Sequence, residues 1–201
     1  MLPEERVVSK NRIYNLFAEK EKRMDRDNIY GHISRILITE EEIREKVREA
    51  GRMITEEYRD RPLLLVSILN GAFMFMADIC RQVKTPCEIA FMSVKSYQGD
   101  STTGNVQIVQ DIKRDISGYH VVIIEDIMDT GLTLRAVTDI LRGRNPLSLK
   151  IVTLLDKPER RIADIRPDYA LFTIPNLFVI GYGLDYNEAY RELPYIAEYS
   201  A

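Results

Sequence analysis

The sequence predicts an α/β protein whose core is a mostly parallel sheet flanked by helices. Two observations carry this prediction. Apolar runs at residues 63–69, 121–124 and 149–155 lack the polar alternation of a half-solvated strand, so they read as strands covered on both faces. The segments between them carry apolar residues at helical spacing, the pattern of strand–helix–strand units.

The elements follow in order. Thr39 and Glu42 form a capping-box pattern. Ile43, Val47, Ala50, Ile54 and Tyr58 then fall on one helical face. Residues 63–69 form a buried strand, 72–83 a helix and 88–94 a further strand. Strands are also predicted at 106–111, 121–124, 149–155, 169–173 and 178–181. The amphipathic stretch 130–142 reads as a helix through Leu134, Val137, Ile140 and Leu141, stopped by Gly143. The core fold is thus expected over about residues 35–185. Residues 1–34 form an N-terminal extension with a weak helical stripe of Ile13, Leu16, Phe17 and Met24, and 35–201 form the main domain.

Bulk composition narrows the class of function. The chain has 201 residues, 28 basic against 31 acidic, for a net charge of −3. Such a balance gives no bulk attraction to nucleic acid. No run approaches the ~20 apolar residues that cross a bilayer, and the first residues lack a signal-peptide core. A cytoplasmic protein with no membrane partner is expected. Cys80 and Cys87 lack metal-ligand spacing with His32 and His120 and are expected as small buried hydrophobes.

The informative stretch is VVIIEDIMDTGLTL, residues 121–134. A strand built for the interior ends in Glu125 and Asp126, and Asp129 follows just before Thr130 and Gly131. In an open parallel sheet, ligands bind at the carboxyl ends of the strands. The turn from Asp129 to Thr133 opens a helix, where free N–H groups and the helix dipole attract an anion. Carboxylates repel phosphate, so the pattern suits a ligand with phosphate at one end and hydroxyls or a metal at the other. Glu125 and Asp126 could accept bonds from a sugar diol or hold Mg²⁺. Asp129 could act as a base. Plain helix-cap acids at an exposed strand end are the alternative, and the coincidence of three acids with a Thr-Gly-x-Thr turn weighs against it.

EDIMDTGLTL closely resembles the phosphoribosyl pyrophosphate signature of the type I phosphoribosyltransferases. SILNGAFMFMADIC, VKSYQGDSTTGNVQI, LLDKPERR and FVIGYGLDYNEAYRELPYI resemble, in that order, successive motifs of the hypoxanthine-guanine branch, closest to the bacterial type. The resemblance covers about residues 35–196. It implies the type I phosphoribosyltransferase fold, with a small hood and a mobile active-site loop. It also implies purine salvage, in which phosphoribosyl pyrophosphate and hypoxanthine or guanine give IMP or GMP and pyrophosphate. Mg²⁺ is the implied cofactor, and a homodimer or homotetramer the implied assembly.

Residue by residue, the resemblance places Glu125 and Asp126 at the ribose hydroxyls and a hydrated Mg²⁺. Asp129, Thr130, Gly131, Leu132 and Thr133 would hold the 5′-phosphate, with Asp129 the catalytic acid/base at purine N7. Asn70 and Gly71 match the pyrophosphate loop, where the peptide after Leu69 is often cis; Asn70 stands where Lys or Arg is frequent. Ser96 and Tyr97 match the loop that closes over the centre, and Arg191 matches an arginine reaching pyrophosphate. Ile127, Lys157, Phe178, Val179 and Asp185 match the purine side: Lys157 would donate to O6, Phe178 would stack, and Asp185 would also serve a second Mg²⁺. Taken without the resemblance, Lys157 reads as a solvated lysine in a charged turn, and Phe178 as core.

Two other readings compete. A receiver-like signalling module also gathers acids at strand ends, but an Asp-Thr-Gly-x-Thr turn is not expected there. A regulator of the same fold, binding RNA or nucleotides without catalysis, is the nearer rival.

Overall fold

The structure, a computed structural model, describes residues 32–96 and 106–200. Expectations for residues 1–31 and for Tyr97 lie outside the described residues, as does the side chain of Ser96.

The helices and the sheet explain one another. In β2, Leu63–Leu69, successive side chains point to opposite faces. Leu63 and Leu65 join a core with the buried faces of α1, Glu40–Glu57, and α2, Phe73–Gln82. Leu64 and Val66 join a second core with Leu134, Val137 and Leu141 of α3, Leu132–Arg142. Continuous apolar strands are the consequence of cover on both faces. Each fully buried Leu or Ile contributes roughly 1.5–3 kcal/mol through removal from water. In α1, Gly51 lets α2 approach closely: a Cβ there would stand 2.3 Å from Gln82 Cβ.

The main sheet runs β4-β3-β2-β5-β6-β7. It comprises β3, Cys87–Ser96; β4, Val106–Gln110; β5, His120–Met128; β6, Ser148–Asp156; and β7, Tyr169–Thr173, together with β2. All pairings are parallel except the edge hairpin of β3 with β4. The mostly parallel α/β fold is as the sequence predicts. The capping box at Thr39 forms, its hydroxyl accepting from Glu42 N at 3.3 Å and Glu42 Oε2 accepting from Thr39 N at 2.8 Å.

Three local expectations are corrected. A second, antiparallel sheet of β1, Ile33–Ile38; β9, Ile196–Tyr199; and β8, Val179–Ile180, builds the hood, in the order β1-β9-β8. The fold therefore extends beyond 185, to Tyr199. Strand β8 falls within the predicted strand 178–181, but β1 and β9 were not predicted because each is short and pairs with a segment far away in sequence, Ile33 with Tyr199 and Ile38 with Ile196. Strand β5 also runs on to Met128, so Glu125 and Asp126 lie within it; Ile127 and Met128 still find partners in Leu155 and Asp156. Cys80 and Cys87 are free thiols that pack against the core yet stay half-buried.

Candidate active site

The site forms where β5 leaves the sheet. Glu125 and Asp126 follow four fully buried residues, Val121 to Ile124, so packing on both faces fixes the backbone that carries them. Asp126 is itself 9% exposed. Its Oδ1 accepts from Ile127 N at 2.8 Å. Burial nonetheless raises its carboxyl from 3.8 to about 6, since water that would solvate the charge is gone. Glu125 is pushed well above the usual carboxylate range by burial and by the neighbouring Asp126. Its Oε2 is buried and has no donor among the described residues.

Beyond Met128 the chain turns through Asp129 and Thr130 into α3. Gly131 at the N-cap has φ 79°, a left-handed conformation that glycine adopts freely. A Cβ there would also meet Ile165 Cγ2 at 2.8 Å. The first turn of α3 holds no acid, and among the described residues no side chain caps it. Its amides thus form a cradle for an anion.

Opposite this turn, the Leu69–Asn70 peptide is cis, in line with the sequence expectation. Gly71 lies so close that a Cβ would stand 1.6 Å from Asp126 Oδ2. Gly183, at φ 100°, presses on the other side: its Cβ would meet Gly71 O at 2.0 Å. The Gly71 loop, the β5 acids and the Asp129 turn line a cavity of about 250 Å³. Gly71, Glu125, Asp126, Ile127, Asp129, Thr130, Gly131 and Thr133 all line it, so most of the predicted phosphoribosyl set converges on one space. Leu132 begins α3 half-buried beside them. Asn70 is exposed.

The purine set surrounds the next step of the sheet. Lys157 follows β6 and its amide donates to Met128 O at 3.0 Å, which brings it beside the Asp129 turn. It is 6% exposed, not solvated, and its Nζ donates to Leu177 O at 2.6 Å. Burial lowers its pKa, opposed by the Asp129 carboxylate. Phe178 is 53% exposed, against the core reading of the residue taken by itself, while Val179 is buried.

Asp185 is occupied. Its Oδ2 accepts from Glu188 N at 2.9 Å, and its Oδ1 stands 2.9 Å from Arg191 Nη2. Arg191 in turn donates to Gly183 O at 2.8 Å. Both charges reach Asp126 electrostatically, Arg191 lowering and Asp185 raising its pKa. Among the described residues no three His, Cys, Asp or Glu side chains gather at one metal-sized point. The expected ligands Glu125, Asp126 and Asp185 therefore do not form a single cluster, because Asp185 turns toward Arg191. A hard divalent ion that keeps most of its waters needs only one or two carboxylates, and the undonated Glu125 Oε2 beside Asp126 suits it.

Two arginines that contact the Asp129 turn were not foreseen in KPERR, which reads as a charged turn. Arg160 Nε lies 2.9 Å from Asp129 Oδ1, but among the described residues no hydrogen bond is aligned to that oxygen. Arg161 fastens the turn itself: Nε donates to Asp129 O at 3.0 Å, Nη2 donates to Met128 O at 3.2 Å, and the guanidinium pairs with Asp156. No local pattern distinguishes such an arginine from a solvated one.

Comparison with known proteins gives this geometry its relatives. The phosphoribosyl transferase domain family matches residues 35–187. A hypoxanthine-guanine phosphoribosyltransferase of Staphylococcus epidermidis is 49% identical over 170 residues, covering 84% of this chain and 95% of the relative. A hypoxanthine phosphoribosyltransferase of Salmonella typhimurium is also 49% identical, covering 83% and 96%. Among solved structures, a hypoxanthine phosphoribosyltransferase from Staphylococcus aureus superposes with a TM-score of 0.83 at 46% identity, over 86% of this chain and 94% of that one.

Proposed function

The chain belongs to the phosphoribosyl transferase family, in its hypoxanthine-guanine branch, and from that premise we propose how its site carries out purine salvage. It is a transferase that moves the phosphoribosyl group of phosphoribosyl pyrophosphate to hypoxanthine or guanine, giving IMP or GMP. The observation that carries this reading is the single cavity in which the Asp129–Thr133 turn, the two β5 acids and Gly71 meet.

The 5′-phosphate sits on the amides that open α3, with Thr130 and Thr133 hydroxyls beside it. Glu125 and Asp126 accept from the ribose hydroxyls. Gly71 offers its backbone N–H to pyrophosphate, since no side chain fits between Asp126 and Gly183. On the other side Phe178 stacks on the purine, Ile127 lies beneath it, and Val179 offers backbone groups. Lys157 donates to O6, a bond that a 6-amino base cannot accept. Asp129 takes the N7 proton as N9 bonds to the anomeric carbon, a role worth typically ~10²–10⁴ in rate. Holding both reactants in line supplies much of the remainder.

Glu125 and Asp126 would hold one Mg²⁺ and Asp185 a second. When bound, the ions neutralise charge on the pyrophosphate leaving group. Arg191 supports this end by fixing Asp185 and Gly183. On the family pattern, Ser96 and Tyr97 would contact the pyrophosphate. Among the described residues no helix is long and apolar enough to cross a membrane. The reading places the enzyme in the cytoplasm as a homodimer or homotetramer.

The test mixes the protein with phosphoribosyl pyrophosphate, Mg²⁺ and, in turn, hypoxanthine, guanine, xanthine, adenine and uracil. Rapid IMP and GMP formation that collapses in Asp129→Asn is the expected result. Binding of phosphoribosyl pyrophosphate with no base consumed would instead mark a regulator built on the same cradle.

A further inference from the structure

We propose that Tyr199 and Tyr186 are positioning residues that hold the Phe178 ring as a purine platform. The proposal rests on the reading of Phe178 as the stacking residue. Phe178 stands half exposed at the start of the hood sheet, where an unsupported ring would swing between rotamers. It is not unsupported. Tyr199 meets it edge-on at a centroid distance of 5.7 Å and 64°. Tyr186 meets it at 5.9 Å and 89°. The two tyrosines stack on each other at 4.4 Å and 28°. Tyr190 and His32 brace Tyr199 from further out, at 5.9 and 5.3 Å.

The backbone supports the same arrangement. Tyr199 N donates to Phe178 O at 2.9 Å, and Ser200 N donates to His32 O at 2.8 Å. Tyr186 is held by its own tight turn: Asn187 and Glu188 both take positive φ, 51° and 65°, and Tyr186 N donates to Ala189 O at 3.2 Å. That turn begins at Asp185, so the residue assigned to the second Mg²⁺ and the brace of the purine ring share one loop. Edge-to-face pairs favour one ring orientation because the positive ring edge meets a negative face. The tyrosines touch neither reactant in this scheme. They reduce the conformational freedom that Phe178 would lose on binding a base.

The test compares Tyr199→Leu with the unaltered protein in the transfer assay, together with Tyr199→Phe. Expected is a rise in KM for hypoxanthine and guanine of about three- to ten-fold, the size of one lost aromatic pair, with kcat and the KM for phosphoribosyl pyrophosphate unchanged within about two-fold. Tyr199→Phe keeps the ring and recovers the base KM. In a Phe178→Leu background, Tyr199→Leu should have no further effect, because the ring it positions is gone. If Tyr199→Leu does not fold, Tyr186→Leu, at the more exposed ring, carries the same cycle. An unchanged base KM, or effects that add fully in the double variant, overturns the brace. Failure of the unaltered protein to transfer to any base overturns the purine reading itself, a distinct result.

Discussion

The acids of β5 and the acid of the hood loop stand in opposite states. Asp185 accepts from an amide and pairs with Arg191. Glu125 keeps an oxygen without a donor among the described residues, and Asp126 has its carboxyl raised to about 6. The hood-loop acid is satisfied by partners in its own loop. The strand end is left for the ligand to complete, at a cost to the unliganded fold. A sheet core packed on both faces can tolerate that cost; a two-residue hood strand such as β8 has far less packing with which to do so.

The largest effect should come from the acid that bridges the two halves. Asp129→Asn is expected to lower kcat by ~10²–10⁴ while leaving phosphoribosyl pyrophosphate binding near its original value, measured by single-turnover rates and by titration calorimetry. A loss confined to binding would assign Asp129 to the cradle only. Next, Gly71→Ala forces a methyl against Asp126 and should abolish transfer even where the protein folds; retained turnover would mean that the loop moves away freely.

The contrast itself is tested by stability. For Asp126 the folded value lies above the unfolded one, so its contribution is present below about pH 4 and lost as pH rises through about 6. Asp126→Asn should therefore match the unaltered protein at pH 4 and exceed it at pH 7, by roughly 3 kcal/mol. Urea unfolding at the two pH values decides this, and added Mg²⁺ should narrow the gap. Asp185→Asn should do the reverse, destabilising by about 1 kcal/mol because it breaks a partly buried pair with Arg191. If both substitutions shift stability in the same direction, the two regions are not different in kind.

Much of this was legible in the sequence because it is local. Apolar runs without alternation gave the parallel sheet, Thr39 and Glu42 gave the start of α1, and Glu125 to Thr133 follow one another in a single stretch of strand and turn. Where the reading drew on resemblance, it identified residues such as Lys157 and Phe178 that isolated inspection would have assigned to solvent and core. The structure set them the other way, Lys157 buried and Phe178 half exposed.

What only the tertiary structure decided are the meetings of distant segments. Strands β1 and β9 form because segments 166 residues apart in sequence lie side by side, Ile33 opposite Tyr199. Gly183 is required because Gly71 O lies against it, and Arg161 matters because the Met128–Asp129 carbonyls face it. Periodicity and turn chemistry act over a few residues and are written in order along the chain. A close approach between surfaces depends on how the whole sheet stacks, and no single segment contains it.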